Sequence, residues 1–491
     1  MQLNLKGTWL FGLFILIIGV HLASQYPYFF DDAFISFRIT EQILKNGKPY
    51  FSTEGLEYTS TSVLYPFLNC IWASLFGKNW VEWIPIFNAI FLSLSFFVVF
   101  RKAISFAIQD DFKLKLLVFL GILPLFLEFR NFQYGNSGLE TCFYMVLLSF
   151  FVVPEHSKIE KPNYFGGLLI FLRPEGVLAG FASILNALFK GQIKPGIRLI
   201  FISIFTIIGY LSYNWLIYHQ LLPQSMIAKS NHIIFRTEEL KKGFAYLLFS
   251  GLWVYMGIFL LNLFLNPLSK PKIFGLTFIW VILYISFFSL FAAWWPWYVP
   301  PLFVAYWFIA ANSLIGIYEY SLQIKLHNRN GIYWFAVLAL FLFSAWKFEE
   351  TRKILKKTSF ASKTRIKSSE KIGTWLNQNA NQKDKILIEP IGMVGWFAKN
   401  LSFLDYPGLS HKEMASFISK LHWKVPHRLT DRRTDSAILY HFRPDIIVLW
   451  REEKAAFEKI ERFQHAYFKT KTLPYFLLDE RMDSVFIYRK R

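Results

Sequence analysis

Cysteine is almost absent from this chain of 491 residues: Cys70 and Cys142 are the only two, and both lie inside apolar stretches. Small hydrophobes of that kind give neither a disulfide framework nor a thiolate metal site. Charge is scarce too, with Asp, Glu, Lys and Arg at 18% of residues, against about 25% in soluble domains. Acids are the rarer sign, 33 against 53 Lys and Arg, for a formal charge of +20. In a soluble protein such an excess points to nucleic acid. Here it coincides with long apolar runs, and it reads first as anchoring loops on the cytoplasmic side of a membrane. No internal repeat or low-complexity linker is visible.

What the chain has in abundance is apolar and aromatic surface: 54% hydrophobic residues, with 55 Phe, 24 Tyr and 17 Trp. That is too much for a disordered chain and exceeds the roughly 45–50% of soluble domains. A helix needs about 20 apolar residues to cross a hydrocarbon core roughly 30 Å thick. Runs of that order occur at 8–25, 82–101, 114–130, 137–153, 196–218, 244–265, 273–293, 296–318 and 331–347. Two shorter runs, 163–173 and 176–190, flank Arg173-Pro174-Glu175-Gly176. They fit two spans joined by a tight turn or one kinked span, and the former gives about eleven spans in all. The run Trp9 to Ala23 after Lys6 lacks a convincing cleavage site and reads as an uncleaved first span.

Basic residues fall in every second connection: Lys6, then Arg101, Lys102, Lys113 and Lys115, then Lys158 and Lys161, then Lys190, Lys194 and Arg198, then Lys270 and Lys272, then Lys325 and Arg329. The positive-inside rule puts these loops and the amino terminus in the cytoplasm. Segment 26–81, the Arg173 turn, 219–243 and the corner Trp294-Trp295-Pro296-Trp297 then face outward, as does everything after an odd number of spans. That last segment, 348–491, changes character. Strand-like runs at 385–388 and 446–450 and helix-like stretches at 365–379 and 411–422 predict a small α/β domain. The expected division is a membrane domain over 1–347 and a soluble domain over 348–491.

The first outward segment is unusual. Adjacent Asp31 and Asp32 close to a span, followed by Arg38, are costly to keep near a bilayer, and ionisable residues in such places are functional candidates. The plainer reading is a helix start over 33–44, since Asp favours the N-cap. Glu54, Glu57 and Tyr58 lie in the same segment. So many oxygens either orient a sugar or hold a hard divalent cation (Mg, Mn or Ca), for which Asp31 and Asp32 are the ligands on offer.

The blocks Asp31-Asp32-Ala33-Phe34-Ile35-Ser36-Phe37-Arg38, Glu54-Gly55-Leu56-Glu57-Tyr58-Thr59-Ser60, Gly138-Leu139-Glu140-Thr141 and Arg173-Pro174-Glu175-Gly176 resemble, in order, those of the GT-C superfamily of polyprenyl-phosphate-dependent glycosyltransferases. The nearest group is similar to bacterial arabinofuranosyltransferases. The resemblance implies a polytopic α-helical membrane protein of the bacterial inner membrane with a C-terminal extracytoplasmic α/β domain. It further implies transfer of a sugar from a polyprenyl-phosphate donor to an envelope glycan or glycolipid on the outer face, with Asp31 as general base and Asp32 as its partner. Either order of the two acids is compatible with the residues. A carboxylate beside another, near a membrane, has its pKa raised toward the working range.

Arg38, Arg173 and Lys229 are the cations available to the donor's phosphate, or else anchors that snorkel to lipid headgroups. Glu140 and Glu175 either touch substrate or hold basic residues through ion pairs. Trp297 and Tyr298 belong to an interfacial aromatic belt or to a wall that stacks on a sugar ring. The sequence departs from the arabinosyl-type pattern, which has an acid at this corner. In the outer domain, Glu389-Pro390-Ile391-Gly392-Met393-Val394-Gly395-Trp396 and Asp405-Tyr406-Pro407-Gly408-Leu409 read as turns that scaffold the fold. The glycines of the first lack nucleotide-loop spacing. Two other classes fit the same spans: a transporter or flippase of lipid-linked sugars, which would carry its ionisable residues within broken helices of repeated halves, and a non-catalytic glycan-assembly protein.

Overall fold

The computed structural model describes residues 8–51, 59–107, 111–154, 166–223, 241, 245, 253–265, 271–290, 294–324, 328–421, 428–476 and 482–491. Glu54, Glu57, Tyr58 and Lys229 lie outside the described residues.

Five described stretches are long and apolar enough to cross a membrane: Thr8–Gln25, Leu64–Ile104, Ile193–Tyr218, Pro296–Gln323 and Asn330–Asn379. Shorter apolar helices cover Thr141–Phe151, Pro174–Phe189, Tyr255–Leu265 and Gly275–Leu290. The chain is a multi-pass membrane protein with a mixed β-sheet near its C-terminus. Two expectations need correction. Within the expected span 163–173 the described part is a 3₁₀ stretch, Gly166–Phe171, rather than an α-helix, consistent with the adjacent Gly166 and Gly167. The helix expected at 365–379 is the end of one helix of 51 residues, Arg329–Asn379. Its polar middle reads as a break in hydropathy, yet it holds good helix formers and no Gly or Pro from 332 to 372.

The described residues within 1–27, 83–208 and 235–357 form one compact unit, and those within 28–82, 209–234 and 358–491 form a second. The first is helical. Its elements include α1 (Thr8–Gln25), α5 (Phe112–Phe126), α6 (Thr141–Phe151), α7 (Val177–Phe189), α10 (Pro271–Leu290) and α11 (Pro300–Gln323). Its core is built from side chains such as Ile15, Phe96, Phe126, Met145, Trp280 and Trp307. Asp111 starts α5 by accepting the Leu114 N–H at 2.6 Å, and Pro300-Pro301 opens α11, where no N–H is needed.

The second unit is built on a five-stranded sheet, β1 (Ile386–Ile388), β2 (Phe403–Asp405), β3 (Ile446–Trp450), β4 (Tyr467–Phe476) and β5 (Met482–Lys490), in the order β2-β1-β3-β5-β4. The first three strands are parallel, and β5 pairs antiparallel to β3 and β4. Both faces of the parallel part are covered, which is why its strands are continuous aliphatic runs rather than alternating ones. One face packs Ile386, Ile388 and Val448 with Ile35, Ile39, Phe51 and Ile372. The other packs Leu387 and Ile447 with Met414, Ile438 and Phe457. Helix α2 (Asp31–Asn46), which carries the Asp-Asp block, therefore belongs to the core of the sheet unit. Gly47 closes it in the left-handed conformation, φ +66°.

Candidate active site

The sheet unit positions Asp31 and Arg38 on one face of α2, seven residues apart. Between them lies α13 (Gly392–Phe397), the short helix that follows β1. Both oxygens of Asp31 accept backbone N–H groups at its start, Oδ2 from Gly392 at 2.6 Å and Oδ1 from Met393 at 2.9 Å. The Arg38 guanidinium donates to carbonyls at its end, Nη1 to Gly395 at 2.7 Å and Nη2 to Lys399 at 2.9 Å, and lies 4.3 Å above the Phe51 ring. An anion thus meets the N-terminal N–H groups and a cation the C-terminal carbonyls, the pairing the helix dipole favours. Gly392 is required by the close approach, because a Cβ there would stand 1.9 Å from the Asp31 backbone oxygen.

Burial pushes the Asp31 carboxyl above the ordinary carboxylate range, opposed chiefly by Arg365 and the Met393 N–H. Asp32 is half-buried. The structure leaves Arg38, expected at the donor's phosphate, turned into the protein with its two Nη groups on carbonyls. As N1 and N2 of α2, the two acids follow Phe30 at the N-cap, so the plainer expectation of an Asp cap is not what the backbone shows.

A second constellation lies within the helical unit. Arg173 is 3% exposed, with Glu140 and Glu175 similarly buried. Its Nε stands 2.7 Å from Glu175 and 3.6 Å from Glu140, and Nη1 donates to Thr141 Oγ1 at 3.1 Å. The guanidinium faces the rings of Tyr298 at 4.9 Å and Tyr144 at 5.7 Å. Tyr284 donates to the Tyr298 carbonyl at 3.0 Å, and Trp297 stacks on Trp295 with centroids 5.3 Å apart and planes 7° apart. The Gly-Leu-Glu-Thr and Arg-Pro-Glu-Gly blocks are therefore brought together. Gly176 makes the turn possible, since a Cβ there would lie 2.3 Å from the Leu169 carbonyl carbon.

Three groups escaped sequence reasoning. Glu128, 1% exposed, pairs with Arg130 and, at 2.7 Å, with Lys347 in the helical unit. The Glu-Phe-Arg ending of an apolar run was its signal. At the carboxyl ends of the parallel strands sit Glu389 and Asp405, with Asp435 and Glu453 in the helices α15 (Arg432–Phe442) and α16 (Arg451–Phe457). Asp405 accepts from the Leu409 and Ser410 N–H groups at 2.7 and 2.8 Å. Asp435 is wholly buried, and its oxygens meet no donor among the described residues. Burial first, then Asp431 and Glu453, pushes it up to about 8, and Glu389 is raised by burial and by Glu453. Third is Arg365, hidden in the basic run Lys363-Thr364-Arg365-Ile366-Lys367, which reads as a solvated face.

The oxygens of Asp31 point at N–H donors, and among the described residues no three His, Cys, Asp or Glu side chains are grouped so as to hold a metal ion.

Comparison with known proteins places the fold. The chain is similar to the crystal structure of ArnT from Cupriavidus metallidurans bound to undecaprenyl phosphate, with a TM-score of 0.57 and 12% identity over 98% of each chain. Against the same protein in the apo state the TM-score is 0.58, at 12% identity over 97% of each chain. The multi-span helical fold with a C-terminal sheet domain implied by the sequence blocks is thus found, and it is ArnT-like. The profile of a domain of unknown function (DUF8728) matches residues 357–488. No curated protein matches the chain by sequence.

Proposed function

We propose that the protein is an integral membrane glycosyltransferase that moves a sugar from a polyprenyl-phosphate donor to an envelope glycan or glycolipid. The observation that carries this reading is the fold shared, over 98% of both chains, with an ArnT structure that holds undecaprenyl phosphate. The alternation of basic loops orients the chain with its amino terminus in the cytoplasm and the sheet unit on the outer face of a bacterial inner membrane.

The hydrogen bonds of Asp31 support a reversal of the two acid roles. Both its oxygens are held by the start of α13, which suits a positioning residue. Asp32, on the next position and half-buried, is the general base. It takes the proton of the acceptor hydroxyl as that oxygen attacks the anomeric carbon. The bond from this carbon to the phosphate oxygen breaks with its electron pair, and the prenyl phosphate leaves. The proton then passes from Asp32 to water. In the helical unit, Glu140 and Glu175 neutralise the Arg173 guanidinium, which lies against Tyr298.

The test is transfer of a radiolabelled sugar from its polyprenyl phosphate in vesicles of the purified protein. Asp32→Asn is expected to lower the rate about 10²–10⁴-fold, the usual contribution of a general base, at unchanged insertion and melting temperature. Asp31→Asn is expected to lower melting temperature and rate together. Full activity of a folded Asp32→Asn protein sinks the assignment. Movement of label across the bilayer without transfer marks a flippase instead.

A further inference from the structure

Two arginines that the sequence offers to an anionic donor are engaged elsewhere, Arg38 with carbonyls and Arg173 with carboxylates. Arg365 is different. It lies on the helix α12 (Arg329–Asn379), between Ser362 and Ser369 at spacings of three and four, so the three side chains share one helical face. Ser362 Oγ accepts the Phe29 N–H at 3.1 Å, just before the Asp-Asp block. Ser369 Oγ reaches Met393 Sδ at 3.9 Å, and Met393 N–H binds Asp31. This face of the helix is therefore turned toward the start of α2 within the sheet unit. Arg365 is 7% exposed, and its Nε–H meets no acceptor among the described residues. The groups that act on its charge are Tyr475, Asp31, Tyr28 and Asp32.

A buried guanidinium with an unused N–H, facing two carboxylates of which one is satisfied by backbone, has the donor geometry for one more anion. We infer that Arg365 holds the phosphate of the lipid-linked donor beside Asp32. The inference rests on the glycosyltransferase reading above. In that role Arg365 opposes the negative charge that gathers on the phosphate as the sugar departs, in surroundings where water screens little.

The experiment uses the full-length protein in nanodiscs of neutral lipid, titrated with undecaprenyl phosphate, undecaprenol and phosphatidylglycerol, with melting temperature as the control for folding. In the wild type, undecaprenyl phosphate is expected to bind more tightly than undecaprenol. Arg365→Gln should weaken undecaprenyl phosphate by about tenfold or more, the scale of a lost charge-assisted contact, and leave undecaprenol unchanged. Arg365→Lys keeps the charge without the planar fork and should weaken it by roughly threefold. Unchanged affinity in either variant that folds overturns the inference, as does an equal loss for phosphatidylglycerol, which would make this a general headgroup site. A wild-type protein that binds undecaprenyl phosphate no better than undecaprenol overturns the lipid-phosphate reading itself, and this inference with it.

Discussion

Arg173 and Arg38 are both almost wholly buried, one in each unit, and they differ in what neutralises them. In the helical unit Arg173 sits in the turn between two 3₁₀ stretches, and side-chain carboxylates, Glu140 and Glu175, neutralise it. In the sheet unit a short helix, α13, exposes its terminal N–H and C=O groups, and these take Asp31 at one end and Arg38 at the other. Backbone neutralises charge there, and in the proposed mechanism Asp32 and Arg365 are the groups that act on substrate. Buried charge in the first unit is closed upon itself, whereas in the second it is divided between architecture and a candidate reaction.

The comparison is most exposed at Arg173. Arg173→Gln leaves two buried carboxylates without their cation, and a loss of about 3–5 kcal/mol is expected, read as a collapse of thermal stability in detergent. A stable variant would mean that Glu140 and Glu175 are held by something other than the guanidinium. Arg38→Gln should cost less, about 1.5–3 kcal/mol, the scale of a charge-assisted hydrogen bond, because the carbonyls it leaves are neutral. An equal loss at the two sites would erase the distinction between carboxylate and backbone neutralisation.

Asp435 gives the smallest effect and sharpens the point about the sheet unit. Its carboxyl sits near 8 in the fold, against about 3.9 in an unfolded chain. From pH 4 upward the unfolded chain ionises the group while the fold keeps it protonated, so its contribution is complete below pH 4 and is lost as pH rises through 8. Asp435→Asn should therefore stabilise the protein at pH 8 by roughly 1–2 kcal/mol, less than full linkage because the amide is also left without partners. At pH 5 the order should reverse, because most of the linkage accrues between pH 5 and pH 8 and the amide's missing partners are then the larger cost. A variant less stable than wild type at pH 8 would show that the carboxyl is ionised and paired.

Much of this was legible in the sequence. Long apolar runs located the helices, since an α-helix satisfies its own backbone and needs only an apolar exterior. Strands β1 and β3 were visible as aliphatic runs. Strands β4 and β5, with Lys469, Lys471 and Arg489 among their side chains, lack that signal because much of their length is solvated. Glu140, Arg173 and Glu175 could be read as an ion-pair group, since only opposite charges make such burial tolerable. The carbonyls that Arg38 binds could not be read from the sequence: they lie 357 and 361 residues away, and backbone partners leave no mark on composition.

By itself the sequence determined that the chain spans a membrane many times and that a sheet domain follows, because hydropathy is a property of short windows. It also singled out Asp31 and Asp32, because adjacent acids near a bilayer are costly. Only the tertiary structure decided which acid is held and which is left, joined the Asp-Asp helix to the sheet core, and turned Arg365 toward both. These depend on backbone groups and helix faces brought together across more than 300 residues, and packing alone fixes such meetings.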